Sequence, residues 1–160
     1  IKGRDINDCQ PEYLYRHFKV FAESTNIQIK KAEVLLIGLA FKGVPETNDV
    51  RHSPSIAFAN ILCSNGVKVY GYDKAIKKDQ VKNTDILFLE RTESMITSLN
   101  TVCAIFIMNN NPNNLDDLLT DNIKSNTLIC DPWNMLRASD MRPNKLISYS
   151  TLGKLDLNIA

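Results

Sequence analysis

Residues 34–40 read Val34-Leu35-Leu36-Ile37-Gly38-Leu39-Ala40, an apolar run with no polar side chain at any position. A strand with one face in water alternates apolar and polar residues, whereas a strand covered on both faces has no reason to alternate. The run therefore predicts a central strand of a parallel sheet. Further apolar runs at 67–72, 85–89, 102–108, 127–130 and 146–149 predict more strands, with helical stretches at 93–99 and 115–121 between them. Another helix is expected from Ser53, with its hydroxyl as N-cap, Pro54 at the first helical position and Asn65-Gly66 as the stop. Strand and helix alternating over short connections give the expected class: α/β, a Rossmann-like parallel sheet with helices on both faces.

One long helix precedes this sheet. Leu14, His17, Phe18 and Phe21 follow the spacing of a single helical face, Asp8 and Pro11 read as its start, and it is expected to end near Asn26. Its apolar stripe must pack on something.

Charge and cysteine usage exclude several functions. Nineteen basic residues stand against 18 acidic ones, a net charge of +1, which leaves no electrostatic footprint for nucleic acid or an anionic membrane. The apolar runs are strand-sized, far short of a membrane span, and no export signal opens the sequence, so a cytoplasmic location is expected. Cys9, Cys63, Cys103 and Cys130 include no C-x-x-C pair, and His17 and His52 lie far apart, so no metal site is expected. Cys63, Cys103 and Cys130 read as small buried hydrophobes.

One connection is long. Residues 41–52, Phe41-Lys42-Gly43-Val44-Pro45-Glu46-Thr47-Asn48-Asp49-Val50-Arg51-His52, separate the first strand from the next helix, where about two to six residues are usual. Such a loop leaves the carboxyl end of a strand, where open α/β sheets place their ligands, and feeds a helix N-terminus. Lys42, Arg51 and the helix dipole would together suit a diphosphate; equally, Glu46 and Asp49 could pair with the two cations as ordinary surface charges. A dinucleotide fingerprint competes. Gly38 and Gly43 match the first and third glycines of G-x-G-x-x-G, but Ala40 replaces the second, which argues against a standard NAD site, although Asp73 stands at the usual ribose-binding position. Residues 109–114, Asn109-Asn110-Asn111-Pro112-Asn113-Asn114, read as a loop and N-cap region on the same sheet edge.

The segment Gly38-Leu39-Ala40-Phe41-Lys42-Gly43, followed by Asp49-Val50-Arg51-His52-Ser53-Pro54, resembles the C-terminal domain of the UDP-glucose/GDP-mannose dehydrogenase family. The Pro45-Glu46-Thr47 version of the loop looks most like the branch acting on UDP-N-acetylhexosamines, and Gly66-Val67-Lys68-Val69-Tyr70-Gly71-Tyr72-Asp73 and Tyr149-Ser150-Thr151-Leu152-Gly153 extend the likeness. The resemblance implies two parts: residues 1–30, the end of a central dimerisation helix and linker, and residues 31–160, a nucleotide-sugar-binding Rossmann-like domain. It implies that Phe41 and Lys42 touch the nucleotide sugar and that Arg51 reaches NAD held by an N-terminal domain. The implied reaction oxidises a sugar C6 hydroxyl to a carboxylate with two NAD, through a cysteine thioester, in a homodimer making polysaccharide precursors. The cysteine of that reaction lies in a G-x-C-x-P-K-D segment, and the NAD fingerprint in the N-terminal domain; this sequence contains neither, so the chain alone is expected not to catalyse.

One departure stands out. The family's Asp-x-Arg-Asn becomes Asp131-Pro132-Trp133-Asn134, with an indole where an arginine is expected on the nucleotide. Trp133 reads either as a core residue or as a stacking platform for the base. Two alternatives to the dehydrogenase reading are a stand-alone nucleotide-binding module and a receiver-like α/β domain. A receiver needs clustered acids after its first strand and an aspartate after its third; Ala40-Phe41-Lys42 and Glu90 stand there instead.

Overall fold

In β1 (Glu33–Ile37) the side chains of Val34 and Leu36 enter one core and those of Leu35 and Ile37 the other, and all four are buried. The computed structural model describes residues 3–116, 118, 120–136, 147–151 and 154–155. In the described residues β1 is followed by α2 (Pro54–Ser64), β2 (Lys68–Tyr72), β3 (Leu87–Phe88), α3 (Thr92–Ser98), β4 (Ala104–Ile107), β5 (Thr127–Cys130), β6 (Ile147–Thr151) and β7 (Lys154–Leu155), and preceded by α1 (Gly3–Ser24). The sheet order is β3-β2-β1-β4-β5-β6-β7, parallel throughout except for β7 against β6. This is the Rossmann order. A receiver scaffold places its third strand beside its first, whereas here β4 lies beside β1 and β3 lies outside β2, which rules that alternative out.

Both faces are covered. On one, Leu14, Phe18 and Phe21 of α1 join Phe58 and Leu62 of α2 over Val34, Leu36 and Phe106. Phe106 meets the edges of Phe58 and Phe18 at ring separations of 4.8 and 6.3 Å; such pairs add about 0.5–1.5 kcal/mol each to the burial of the rings. On the other face, Met95 and Leu99 pack with Ile123 over Leu35, Ile37, Ile105 and Ile129. The stripe of α1 thus packs on its own domain, and its opposite side leaves Tyr13 and Val20 exposed.

The structure corrects several boundaries. α1 begins at Gly3 and carries Pro11 inside it; a proline removes one backbone hydrogen bond and crowds the preceding turn, yet its own φ is helical, so the helix continues through it. β1 ends at Ile37 because Gly38 turns to φ 91°. The described residues of 115–121 show no α-helix; instead 3-10 turns occupy Pro112–Asn114 and Thr120–Asn122, with i→i+3 bonds from Leu115 N–H to Pro112 and from Leu118 N–H to Leu115. Residues 117 and 119 of that stretch, and residues 152 and 153 of the closing motif, lie outside the described residues. Cys130 is buried, and that burial, aided by the Asp131 charge, pushes its thiol up to about 12. Cys63 and Cys103 are only half-buried, since one ends α2 and the other precedes β4 at the core margin.

Candidate functional site

β1 is the point where the topology reverses: β2 lies on one side of it and β4 on the other. Ligands of open α/β sheets bind in the crevice at the carboxyl ends of such strands. Two segments meet there, the long loop after β1 and the asparagine-rich segment after β4. The Asn109 side-chain amide donates to the Ala40 carbonyl (3.3 Å), and the Asn110 side-chain oxygen accepts the amides of Gly43 (3.2 Å) and Val44 (3.1 Å). Glu46 accepts the side-chain amides of Asn111 (2.8 Å) and Asn113 (3.1 Å), which hold its carboxyl below the usual range. Asn111 also caps the 3-10 turn by accepting the Asn113 amide, and Asn114 accepts the Lys74 amide (2.8 Å), tying in the loop after β2. The loops after β1, β2 and β4 are therefore joined by side-chain amides, with the Glu46 carboxylate as one of their acceptors. Gly43 makes the closest approach: a Cβ there would collide with the backbone of Asn111.

The position where a dinucleotide pyrophosphate would lie is filled by the protein. Asp73 Oδ2 accepts the amides of Leu39 (2.7 Å) and Ala40 (3.0 Å), and its Oδ1 accepts that of Ala75 (2.9 Å). These are the amides that a phosphate would need, and Asp73 is 3% exposed with both carboxylate oxygens engaged by backbone N–H groups. The Asn109 side chain fills the space over Gly38, where a Cβ would come within 2.5 Å of it. The residues present therefore do not fit NAD at this sheet edge. Ser53 is the N-cap residue of α2, but its hydroxyl donates to the Leu39 carbonyl (2.8 Å) instead of capping; Ser55 does the same to Gly38 (2.6 Å).

The groups left facing solvent are those the sequence singles out. Phe41 is 49% exposed while its amide is fixed to the Asp49 carbonyl at 2.7 Å. Lys42 is exposed and, among the described residues, has no ion-pair partner; Glu46, its expected counter-ion, is taken by the asparagines. Arg51 does pair with Asp49, its Nε and Nη2 donating to the two carboxylate oxygens at 2.9 and 2.8 Å. The Arg51 side chain and then its backbone N–H hold Asp49 at about 2, and the arginine side chain remains 82% exposed. Trp133 is no core residue: it is 47% exposed, with its indole N–H donating to the Met108 carbonyl at 3.1 Å. The neighbours of Phe41 and Lys42 in the chain, Ala40, Gly43 and Val44, and the Trp133 indole thus bond one segment, residues 108–110, whereas Arg51, further along the loop, is tied to Asp49. Asp73, Asn109, Asn110 and Glu46 were not legible as site builders, since their partners lie 33 to 69 residues away.

No helix among the described residues is long and apolar enough to cross a membrane. Residues 35–138 match the family model described as UDP-glucose/GDP-mannose dehydrogenase family, UDP binding domain. No curated protein matches the chain. Similar solved structures include a UDP-D-ManNAc dehydrogenase from Pyrococcus horikoshii (TM-score 0.65, 20% identity, 91% of this chain and 32% of that one). They also include a UDP-N-acetyl-mannosamine dehydrogenase from S. aureus (0.68, 20%, 96% and 32%) and an NDP-N-acetyl-D-galactosaminuronic acid dehydrogenase from Methanosarcina mazei Go1 (0.74, 19%, 96% and 31%). At such identities the likeness establishes the fold. The chain spans about a third of the length of these proteins.

Proposed function

The chain belongs to the UDP-glucose/GDP-mannose dehydrogenase family through its UDP-binding domain, and from this premise we propose that it holds the nucleotide end of a UDP-sugar for an NAD-dependent C6 oxidation. The observation that supports the reading is the self-filled pyrophosphate position: with Asp73 on the Leu39 and Ala40 amides, a ligand would be held from outside the turn, and the exposed Phe41, Lys42 and Trp133 are the groups proposed to hold it. In this reading the Lys42 ammonium meets the diphosphate, a charge-assisted contact. Phe41 and Trp133 give two apolar walls for the uridine, the indole stacking where a family arginine would make hydrogen bonds.

Arg51, kept in one direction by Asp49, is offered towards the NAD of another domain, which as hydride acceptor supplies the redox chemistry. The parent enzyme is proposed to be a cytoplasmic homodimer, with residues 1–30 the end of its dimerisation helix and linker, and an N-acetylhexosamine as the favoured sugar. Calorimetry of the chain with UDP and with NAD tests the nucleotide assignment. UDP is expected to bind saturably and Lys42→Ala to weaken that binding, whereas any heat from NAD should be the same with and without the lysine; NAD binding that depends on Lys42 as UDP binding does would overturn the reading, as would no UDP binding at about 1 mM.

A further inference from the structure

A cleft of about 830 Å³ opens at the carboxyl ends of β2 and β3, on the opposite side of β1 from the β4 segment. Four lysines line it, Lys74, Lys77, Lys78 and Lys82, all within the stretch 74–82 of a chain whose net charge is only +1. Ile76, Phe88 and Leu89 supply an apolar floor, and the Tyr72 and Thr92 hydroxyls meet at 3.1 Å on its wall. The acids bordering it are Asp73, whose carboxylate is spent on backbone amides, and Asp79 and Glu90. Lys74 has Asp116 at 4.0 Å, but among the described residues Lys77, Lys78 and Lys82 have no ion-pair partner. Ammonium groups gathered round one concavity repel each other and raise the local concentration of anions. Lysines solvated on a convex surface would have no apolar floor between them.

We propose that this cleft is a second ligand site, distinct from the UDP crevice, for a small phosphorylated molecule with a flat apolar ring, of the nucleotide class. The phosphates lie against Lys77, Lys78 and Lys82, and the ring rests on Phe88 and Leu89. The two sites share Asp73, whose carboxylate braces the β1 loop and which also lines the cleft. The proposal does not depend on how the β1 loop is used.

Amide NMR of the chain titrated with inorganic pyrophosphate and with ADP tests it. Saturable shifts are expected at residues 74–82 and 88–92, with ADP binding about tenfold tighter than pyrophosphate through the ring contact. Lys77→Glu with Lys78→Glu should abolish these shifts, Lys77→Gln with Lys78→Gln should weaken them, and Lys42→Ala should leave them intact. Shifts confined to the β1 loop, or unchanged in the charge-reversed variant, would overturn the site. Equal affinity for ADP and pyrophosphate would overturn the nucleotide assignment. Loss of the β1-loop response alone would count against the UDP reading and leave the cleft standing.

Discussion

Asp73 Oδ2 accepts the backbone amide of Leu39 at 2.7 Å across 34 residues of sequence. The same oxygen takes the Ala40 amide, so one buried carboxylate satisfies two donors that the turn after β1 would otherwise leave bare. Removing it should leave both unsatisfied, at about 1–3 kcal/mol for each buried donor. Asp73→Ala is therefore expected to lower stability by about 2–6 kcal/mol in urea unfolding, and Asp73→Asn by less, since a carbonyl oxygen remains. A loss below about 0.5 kcal/mol, the range of an ordinary surface change, would mean that the carboxylate has no such role.

Lys42 is exposed and makes no ion pair among the described residues, so folding does not depend on it. Lys42→Ala should weaken UDP binding about ten- to a hundredfold, as loss of a charge-assisted contact does, and leave the melting temperature unchanged. Calorimetry and a thermal melt decide. A destabilised variant with unaltered affinity would make the residue structural.

The sole tryptophan of the chain is half-exposed at the crevice, with its N–H already bonded to Met108. Stacking reads the face of a base and not its edge. Tryptophan fluorescence should therefore be quenched to a comparable degree by UDP, GDP and ADP at saturation. No spectral change with bound nucleotide would remove Trp133 from the site.

His17 is buried on α1, its Nε2 without a hydrogen-bond partner among the described residues, and burial lowers its pKa. The unfolded chain therefore takes up this proton before the folded one does. Stability contributed by the neutral ring is complete above the unfolded value near 6.5 and falls as pH drops below it. Urea midpoints measured from pH 7.5 down to 5 should decline in the native protein and stay flatter in His17→Phe; parallel curves would show that the ring does not drive the decline.

Gly43 lies where the β1 loop crosses the segment after β4, and an added methyl would strike the Asn111 backbone. Gly43→Ala should cost about 1–3 kcal/mol as overpacking, and it should also weaken UDP binding because Phe41 and Lys42 move with the displaced loop. Full affinity in a destabilised variant would show that the two loops are not coupled at the site.

Local signals disclosed the framework well. The apolar runs of β1, β2, β4 and β5 and the Ser53-Pro54 start of α2 follow from nearest-neighbour chemistry, and the structure has them within a few residues of expectation. What they could not disclose is long-range. Ser53 has the identity of a cap, yet its hydroxyl turns to Leu39, 14 residues back. Asp73 stands where a ribose-binding acid belongs and is used instead to brace a turn. β7 carries no periodicity at two residues, and β3 is short, with Leu87 exposed on the sheet edge. At the site, the residue types of Phe41, Lys42 and Trp133 were visible, whereas the asparagines that set the loop were visible only as loop formers.

The bonds that Asn109 and Asn110 make to the loop after β1 run between neutral amides and backbone groups. Dissolved salt screens charges and leaves such bonds almost untouched. The shape of the crevice should therefore persist from dilute buffer to brine, while the grip of Lys42 on a diphosphate fades. Ionic strength becomes a dial that turns down one contribution to affinity and holds the other fixed. Because folding has already ordered the loop, whatever affinity survives at high salt measures the aromatic walls alone.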